Sequence, residues 1–254
     1  MGAVIGRLVR AEWTKLLSTR VWIGLLLGSC VLVGGFAALF TGLAGQSDGP
    51  PALTDPTFAT LVFGLAGNAS ILSLVLGIIG TTQEYRHRTA TPTFLASPHR
   101  GRVVAAKLGA YLVAGIPFAL VACVVDVVVV LLYAGGRGAA PSLDADALQV
   151  LAGAAVSVVL YTVIGVGLGA LLRNQVGAIV GALVYLFVIE NIIGGIGAIS
   201  GIYKWLPGGA SAALTATTEG PDLLNQWQGG VLLVAYALVF SIVGTLLAVR
   251  RDVV

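Results

Sequence analysis

Two apolar runs joined by three polar residues decide the fold: LQVLAGAAVSVVLYTVIGVGLGALL at 148–172, RNQ at 173–175 and VGAIVGALVYLFVIENIIGGIGAI at 176–199. A helix needs about 20 apolar residues to cross a bilayer core of roughly 30 Å, and each run reaches that length. The connection contains only Arg173, Asn174 and Gln175. The two runs are therefore predicted to form a tight transmembrane helical hairpin.

The rest of the chain follows the same pattern. Its 254 residues are 57% hydrophobic and only 10% charged, whereas a soluble domain carries about 25% charged residues. Six apolar runs can cross a membrane, at about 22–44, 58–81, 108–134, 148–172, 176–199 and 229–249. The sequence thus predicts an all-α polytopic membrane protein in which residues 1–254 form a single transmembrane domain.

The Lys and Arg residues are distributed very unevenly about these six spans. Twelve of the fourteen fall on the side of the N-terminus: Arg7, Arg10, Lys15, Arg20, Arg86, Arg88, Arg100, Arg102, Lys107, Arg173, Arg250 and Arg251. Only Arg137 and Lys204 fall on the other side. Cytoplasmic loops carry the excess of positive charge, so both termini are predicted to lie in the cytoplasm. The composition is typical of a bacterial protein, and the cytoplasmic membrane is the expected location.

Residues 4–20 precede the first span and are predicted to form an amphipathic helix. Arg7, Arg10, Thr14 and Ser18 share one narrow face at helical spacing, and apolar side chains occupy the other. Such a helix lies in the membrane interface, with its cations toward anionic lipid headgroups. The alternative is a simple cytoplasmic extension of the first span.

Two acidic residues lie inside predicted spans. Asp126 is nineteen residues past Lys107, and Glu190 is seventeen past Arg173, which places both roughly 25–29 Å along their helices. A carboxylate at that depth costs at least a few kcal/mol unless it is protonated, paired or hydrated. One interpretation is that Asp126, Glu190 and the adjacent Asn191 line a translocation pathway. The other is structural, with Glu190 and Asn191 satisfying backbone groups where the fifth span breaks, and Asp126 bonded to a neighbouring span.

The segment before the sixth span is irregular. Glycines at 194, 195, 197 and 201 interrupt the apolar pattern, and Tyr203, Lys204, Trp205 and Pro207 follow. Aromatic residues beside a Lys are typical of the bilayer interface. A short re-entrant element is predicted there. Small residues also recur at helical spacing within spans, at Gly24/Gly28, Gly165/Gly169, Gly177/Gly181 and Gly197/Gly201, which favours close helix packing.

Motifs for common enzymatic chemistry are missing from the sequence. It has no G-x-x-x-x-G-K-[ST] phosphate loop, no H-E-x-x-H, no G-x-S-x-G and no C-x-x-C. His87 and His99 lie among arginines, and Cys30 and Cys123 lie inside apolar runs. No catalytic or metal-binding set, no cofactor held by this chain and no nucleic-acid partner are therefore expected.

The loop between the second and third spans, at 82–107, is the densest polar segment. It contains five cations between Glu84 and Lys107, and Thr93–Ser97 could form a short helix bordered by Pro92 and Pro98. A stiff, basic element of this kind is suited to contact a soluble motor protein. The alternative is an anchor that only holds the membrane topology.

Three parts of the sequence resemble ABC-2-type transporter permeases. The first is RAEWTKLLSTR at 10–20; the second is EYRHRT at 84–89 with Phe94, Leu95, Pro98, Arg100, Ala106 and Lys107; the third is Glu190–Asn191 with KWLP at 204–207. Six spans with both termini inside also fit that family. Many members have Gly where this chain has Arg88.

The resemblance implies the membrane-spanning subunit of an ATP-binding-cassette exporter. ATP and Mg²⁺ would be bound by a separate cytoplasmic ATPase, and a second permease chain would complete a homodimer. In that family the first cytoplasmic loop carries a coupling helix that contacts the ATPase, as does the interfacial helix. Those roles are carried to Glu84, Arg86, Arg88, Thr89, Pro98, Arg100 and Arg102, and to Glu12, Trp13 and Lys15. The expected substrate is amphipathic or hydrophobic: a drug, antibiotic, peptide or lipid.

Two other functions fit the same sequence. A proton-coupled secondary transporter could use Asp126 and Glu190, and neutralising both would abolish its activity. A membrane sensor or immunity protein would have no transport cycle, and the ATPase activity of a partner would not rise in its presence. An intramembrane enzyme is disfavoured by the missing motifs.

Overall fold

The computed structural model describes residues 2–87, 100–197, 199–215 and 223–250, with side chains at 6–87, 101–197, 199–215 and 223–246. Every regular element in these ranges is helical: α1 (Gly2–Ser18), α2 (Val21–Leu43), α3 (Pro56–Gly64), α4 (Ala69–Arg86), α5 (Arg100–Gly136), α6 (Ala145–Leu172), α7 (Gln175–Val184), α8 (Glu190–Gly195), α9 (Ser200–Tyr203), α10 (Pro207–Thr215) and α11 (Gln226–Arg250). A 3₁₀ turn at Leu65–Asn68 joins α3 to α4, and a π-helical turn at Tyr185–Ile189 joins α7 to α8.

Within these described ranges, six helical segments are long and apolar enough to cross a membrane: Val21–Leu43, Pro56–Arg86, Gly101–Gly136, Ala145–Leu172, Gln175–Gly195 and Gln226–Leu246. Each contains most of one predicted apolar run. The prediction of a multi-pass, all-α membrane protein is thus confirmed. The interfacial position of residues 4–20 and the re-entrant character of the segment before the sixth span stay predictions.

Polar side chains set where two of these helices, α3 and α6, begin. Asp55 accepts a hydrogen bond from the amide of Thr57 at 2.8 Å, and Pro56 is the first helical residue of α3. Asp144 accepts from the amide of Ala147 at 2.9 Å at the start of α6. An amide without a partner inside the helix is satisfied in each case. These caps fix the first residues of the second and fourth spans.

The hairpin of the fourth and fifth spans turns on two residues. Arg173 has a left-handed backbone (φ 53°) and ends α6, and the Asn174 side chain then accepts the amide of Gly177 at 3.0 Å to start α7. Asn favours such caps because its side chain is short and polar. The predicted tight hairpin is present, with Gln175 already in the second helix.

Helix α6 lies at the centre of the bundle, packed against α4, α5 and α11. Small residues allow the closest approach: a Cβ added to Gly77 of α4 would overlap the carbonyl oxygen of Thr162, and one added to Gly165 would overlap that of Leu74. Of the four predicted small-residue pairs, Gly165/Gly169 lies in such a contact, whereas Gly24, Gly181 and Gly201 each face open space.

The loop predicted at 82–107 is shorter in the structure. Helix α4 continues to Arg86, and α5 already begins at Arg100. Glu84 and Lys107, which are predicted to lie in the loop because they are charged, are helical in the structure, and their charges are paired with each other. The proposed short helix at Thr93–Ser97 lies outside the described residues. The end of the bundle formed by the last turn of α4, the first turns of α5 and the α6–α7 turn is called the basic end below.

Candidate functional site

Four charged side chains meet at the basic end, and together they are called the charge cluster: Glu12, Lys15, Glu84 and Lys107. Lys107 Nζ lies 2.5 Å from Glu12 Oε2 and 3.1 Å from Glu84 Oε1. Lys15 Nζ lies 2.7 Å from Glu12 Oε1 and 2.6 Å from Glu84 Oε1. Each Lys therefore bridges both carboxylates, and the four formal charges sum to zero.

The charge cluster is largely buried. Glu12 and Lys107 are each 3% exposed and Glu84 is 6% exposed. Lys107 also donates to the carbonyl oxygen of Gly80 at 3.0 Å and lies 5.9 Å from the centre of the Tyr111 ring. Charged groups removed from water need partners of this quality. The cluster therefore holds α1, the end of α4 and the start of α5 in one arrangement.

Lys15 is the most accessible member, with 35% of its side chain exposed. Burial disfavours its charged form, but hydrogen bonds and the negative charges of Glu12 and Glu84 outweigh that effect and raise the pKa of Lys15 above its ordinary value of 10.5. Its ammonium group is thus stabilised by the two carboxylates.

The structure places the other predicted coupling residues around this cluster. Trp13 is half-buried against the core of the basic end. Arg86 is exposed and lines a surface cleft with Tyr85 and Arg173, whose guanidinium lies 5.2 Å from the centre of the Tyr85 ring. Arg102 is partly exposed. Arg88, Thr89 and Pro98 lie outside the described residues, as does the side chain of Arg100.

A cavity of about 470 Å³ occupies the other half of the bundle. Its walls come from α2, α3, the 3₁₀ turn, α4, α6, the π-helical turn and α8–α10. Most polar groups on its walls are uncharged. The hydroxyls of Ser70 and Ser211 belong to it, and Ser157 bonds to both, at 3.3 and 2.6 Å.

Glu190 is the charged residue of that cavity. It is only 2% exposed and accepts a hydrogen bond from the amide of Gly208 at 3.2 Å, in the first turn of α10. A Cβ at Gly208 would overlap Glu190 Oε2, so a side chain at position 208 would displace the carboxylate from its present position. The neighbouring Asn191 donates to the carbonyl oxygens of Leu186 and Phe187, at 3.3 and 3.0 Å. Asn191 thus satisfies backbone groups where the fifth span departs from α-helix, whereas Glu190 satisfies an amide in the first turn of α10.

Asp126 lies elsewhere. It is fully buried, and neither carboxylate oxygen has a hydrogen-bond partner of normal geometry among the described residues. The amide of Ala66, in the 3₁₀ turn of the second span, acts on it electrostatically. Asp126 is not among the residues that line the 470 Å³ cavity, so the structure does not bring the two intramembrane acids into one site. A role for Asp126 in a substrate pathway stays a prediction.

Several residues of these sites were missed by reasoning from the sequence. Lys107 was counted as a topology signal, although it is the central cation of the charge cluster. The spacing of Glu12 and Lys15, one helical turn apart, could have indicated a pair. Tyr161 and Gly208 gave no signal, because their place beside Glu190 depends on how α6 and α10 pack.

Comparison with known proteins assigns none of these residues. No protein-family model matches the chain, and no curated protein is significantly similar to it. The charge cluster and the Glu190 cavity, set in a six-span bundle, are the features from which a function can be argued.

Proposed function

We propose that this chain is the membrane-spanning subunit of an ATP-driven exporter of the ABC-2 type. It would move an amphipathic or hydrophobic substrate out across a bacterial cytoplasmic membrane, with both termini inside. A separate ATPase, which binds ATP and Mg²⁺, would contact the basic end. Two copies of the chain would form the complete transmembrane part of the exporter. The six spans, the basic segment between the second and third spans and the three sequence resemblances support this proposal.

The charge cluster is the observation that carries it. Glu84 lies just before the basic segment 86–102 and Lys107 lies just after it. Glu84 is paired with α1 through Lys15, and Lys107 is paired with α1 through Glu12. A soluble ATPase can move the helices only if the segment that it contacts is held rigidly to them. The charge cluster holds it, because displacing α1 or either end of the segment would leave unpaired charges in a buried site.

The dimensions of α5 also support a contact outside the membrane. Its 37 residues span about 55 Å at 1.5 Å per residue, and a bilayer core is roughly 30 Å thick. The helix must therefore extend beyond the hydrocarbon region. In the proposed cycle, closure of the ATPase dimer pushes the basic segment, and the bundle shifts toward an outward-open state that binds the ATPase–ATP complex more tightly.

The direct test is to purify the tagged chain from its own host and measure Mg-ATP hydrolysis in the preparation. We expect a co-purifying ATPase whose activity is sensitive to vanadate. The double charge reversal Arg88→Glu and Arg100→Glu should reduce both association and activity. Lys204→Glu, on the opposite side of the predicted topology, is the matched control and should change neither.

Two results would count against the proposal. Transport at the full rate by the purified chain in proteoliposomes, without any ATPase, would show that no motor is needed. Equal loss of hydrolysis in Lys204→Glu and in the double reversal would show that the basic segment is not the contact.

A proton-coupled secondary transporter is the second candidate, and the buried carboxyl of Asp126, which has no hydrogen-bond partner of normal geometry among the described residues, favours it. Asp126→Asn separates the two functions because Asp126 is not among the residues that line the cavity. Transport driven by a proton gradient should be lost in this variant, whereas ATP-driven export should continue at a similar rate.

A further inference from the structure

The Glu190 cavity has an unusual charge balance. Its walls contain hydroxyls, two Asn side chains, aliphatic groups and aromatic rings, and Glu190 is the single Asp, Glu, Lys, Arg or His among the described lining residues. No Lys or Arg nitrogen in the described part of the chain lies within 4.0 Å of its carboxylate. A negative charge in this cavity thus has no positive side chain beside it.

A backbone amide offsets part of the negative charge of Glu190. The Gly208 amide that binds Glu190 is in the first turn of α10, a helix of nine residues. The positive end of a helix dipole favours an anion at that place. The side chain of Tyr185 also hydrogen-bonds to the carboxylate. An ionised carboxylate has about four acceptor sites, so about half of its acceptor capacity is left for another group.

Aromatic rings surround the carboxylate. Four tyrosines, Tyr161, Tyr185, Tyr203 and Tyr236, lie close enough to Glu190 to interact with it electrostatically. Tyr161 and Tyr203 line the cavity together with Phe187. Tyr236 is held by a 2.8 Å hydrogen bond from its hydroxyl to the carbonyl oxygen of Trp205. Aromatic faces attract cations, most strongly where water is excluded.

We propose that this cavity binds a lipophilic organic cation, with Glu190 as its counter-ion and the tyrosine and phenylalanine rings as its walls. The cavity volume lies within the range of about 300–1,000 Å³ typical of small-molecule sites. A cationic ligand supplies the charge that the protein leaves out, and its apolar groups match the remaining walls. As the cargo of an exporter this cation rests on the proposed function, but as a bound ligand it can be tested on the purified chain alone.

The test uses two ions of nearly equal size and shape and opposite charge, tetraphenylphosphonium and tetraphenylborate. Binding of each to the purified full-length chain in detergent is measured by equilibrium dialysis. We expect tetraphenylphosphonium to bind saturably and tetraphenylborate to bind at least about tenfold more weakly, as expected for a desolvated cation site.

Glu190→Gln is the decisive variant. Its amide oxygen can still accept the Gly208 amide, so the structural role at α10 is retained while the charge is removed. Affinity for tetraphenylphosphonium should fall about tenfold, with unchanged thermal unfolding. Asp48→Asn is the matched control, since it removes an exposed carboxylate that does not line the cavity, and it should bind like the wild type. If Glu190→Gln does not fold, Tyr203→Leu should lower the affinity severalfold by removing one ring.

Equal binding of both ions, or wild-type affinity in both Glu190→Gln and Tyr203→Leu, would overturn the cation site and indicate partition into the detergent micelle. This outcome together with intact vanadate-sensitive ATPase association would leave the exporter proposal standing. Charge-selective binding without any associated ATPase would support the site and contradict the exporter.

Discussion

At the residue scale, glycines are as important for the packing as the charged side chains. Gly77 lets α4 approach the backbone of α6, Gly80 makes room for the ring of Tyr111, and Gly208 admits the carboxylate of Glu190. In each case a Cβ would overlap a neighbouring atom rather than fill a void. In a membrane, where helices associate through close packing, these contacts hold the bundle together.

The variant Gly77→Ala tests this packing. Its methyl group would overlap the backbone of α6, which has little freedom to move, so the free energy of unfolding should fall by about 1–3 kcal/mol. Thermal unfolding of the purified protein in detergent, followed by tryptophan fluorescence, measures the change.

Gly109→Ala is the control, because a Cβ at Gly109 in α5 would meet nothing within 4 Å. Replacing Gly by Ala in a helix is otherwise favourable, so this variant should match or exceed the wild type in stability. A Gly77→Ala protein that is equally stable would contradict the close α4–α6 contact.

The raised pKa of Lys15 gives a pH dependence. A group whose pKa is higher in the folded protein contributes stability below its ordinary pKa, here 10.5, and the contribution is lost as the pH rises through the folded value. The difference in stability between wild type and Lys15→Met should therefore be constant from pH 7 to pH 9 and shrink at higher pH. Thermal unfolding at each pH measures it; a difference that grows with alkaline pH would show the opposite sign of linkage.

At the element scale, the charge cluster makes one unit of three helices distant in sequence. Glu12 belongs to α1, Glu84 to α4 and Lys107 to α5, and Lys107 bonds to both acids. Buried ion pairs add little net stability over apolar packing, but breaking one leaves an uncompensated charge. The cluster therefore serves to fix α1, α4 and α5 relative to one another.

Lys107→Met should be strongly destabilising, because it removes the buried cation that pairs with both Glu12 and Glu84. A loss of about 3–5 kcal/mol in the free energy of unfolding is expected, measured by unfolding in mixed micelles. Combining Lys107→Met with Glu12→Gln should restore part of the loss. The control is Lys204→Met, and a Lys107→Met protein as stable as that variant would contradict the structural role of the cluster.

Two spans change helix type where they border the cavity. The second contains the 3₁₀ turn at Leu65–Asn68, beside Asp126, and the fifth contains the π-helical turn at Tyr185–Ile189, just before Glu190. A π-helical turn leaves backbone carbonyls less well paired and is often found at functional sites. Asn191 satisfies two of them, which explains how a polar residue can be stable there.

At the scale of the whole molecule, α6 and α4 are the most enclosed spans, and the first, fifth and sixth spans present apolar side chains outward. Such surfaces are suited to lipid or to a second copy of the chain. The distribution of Lys and Arg predicts which end of the bundle lies in the cytoplasm, and cysteine labelling can test it.

In a variant with Cys30 and Cys123 replaced by Ala, single cysteines are introduced at Asp48 or His87, which are both exposed and lie at opposite ends of the second span. A membrane-impermeant maleimide added to intact cells should label Asp48→Cys directly. It should label His87→Cys only after the membrane is permeabilised. The reverse pattern would invert the proposed topology and place the basic segment outside.

Individual residues show how far the sequence reaches into the two sites. Glu190 and Asn191 are conspicuous because polar groups are costly within an apolar run, and Glu12 and Glu84 were selected through the family resemblance. Their partners could not be found this way: Lys107 is ninety-five residues from Glu12, and Gly208 is eighteen from Glu190. These pairings depend on which helix faces meet.

By itself, the sequence determined the class of protein, the number of spans and the hairpin at Arg173–Asn174, because the length of an apolar run and its caps are local properties of the chain. The tertiary structure alone decided that Lys15 and Lys107 neutralise Glu12 and Glu84, that Asp126 does not line the cavity, and that Glu190 meets α10 and a group of tyrosines. Those outcomes depend on the approach of helices across the bundle, where glycines such as Gly77 and Gly208 set the distance, and no periodicity along one helix encodes them.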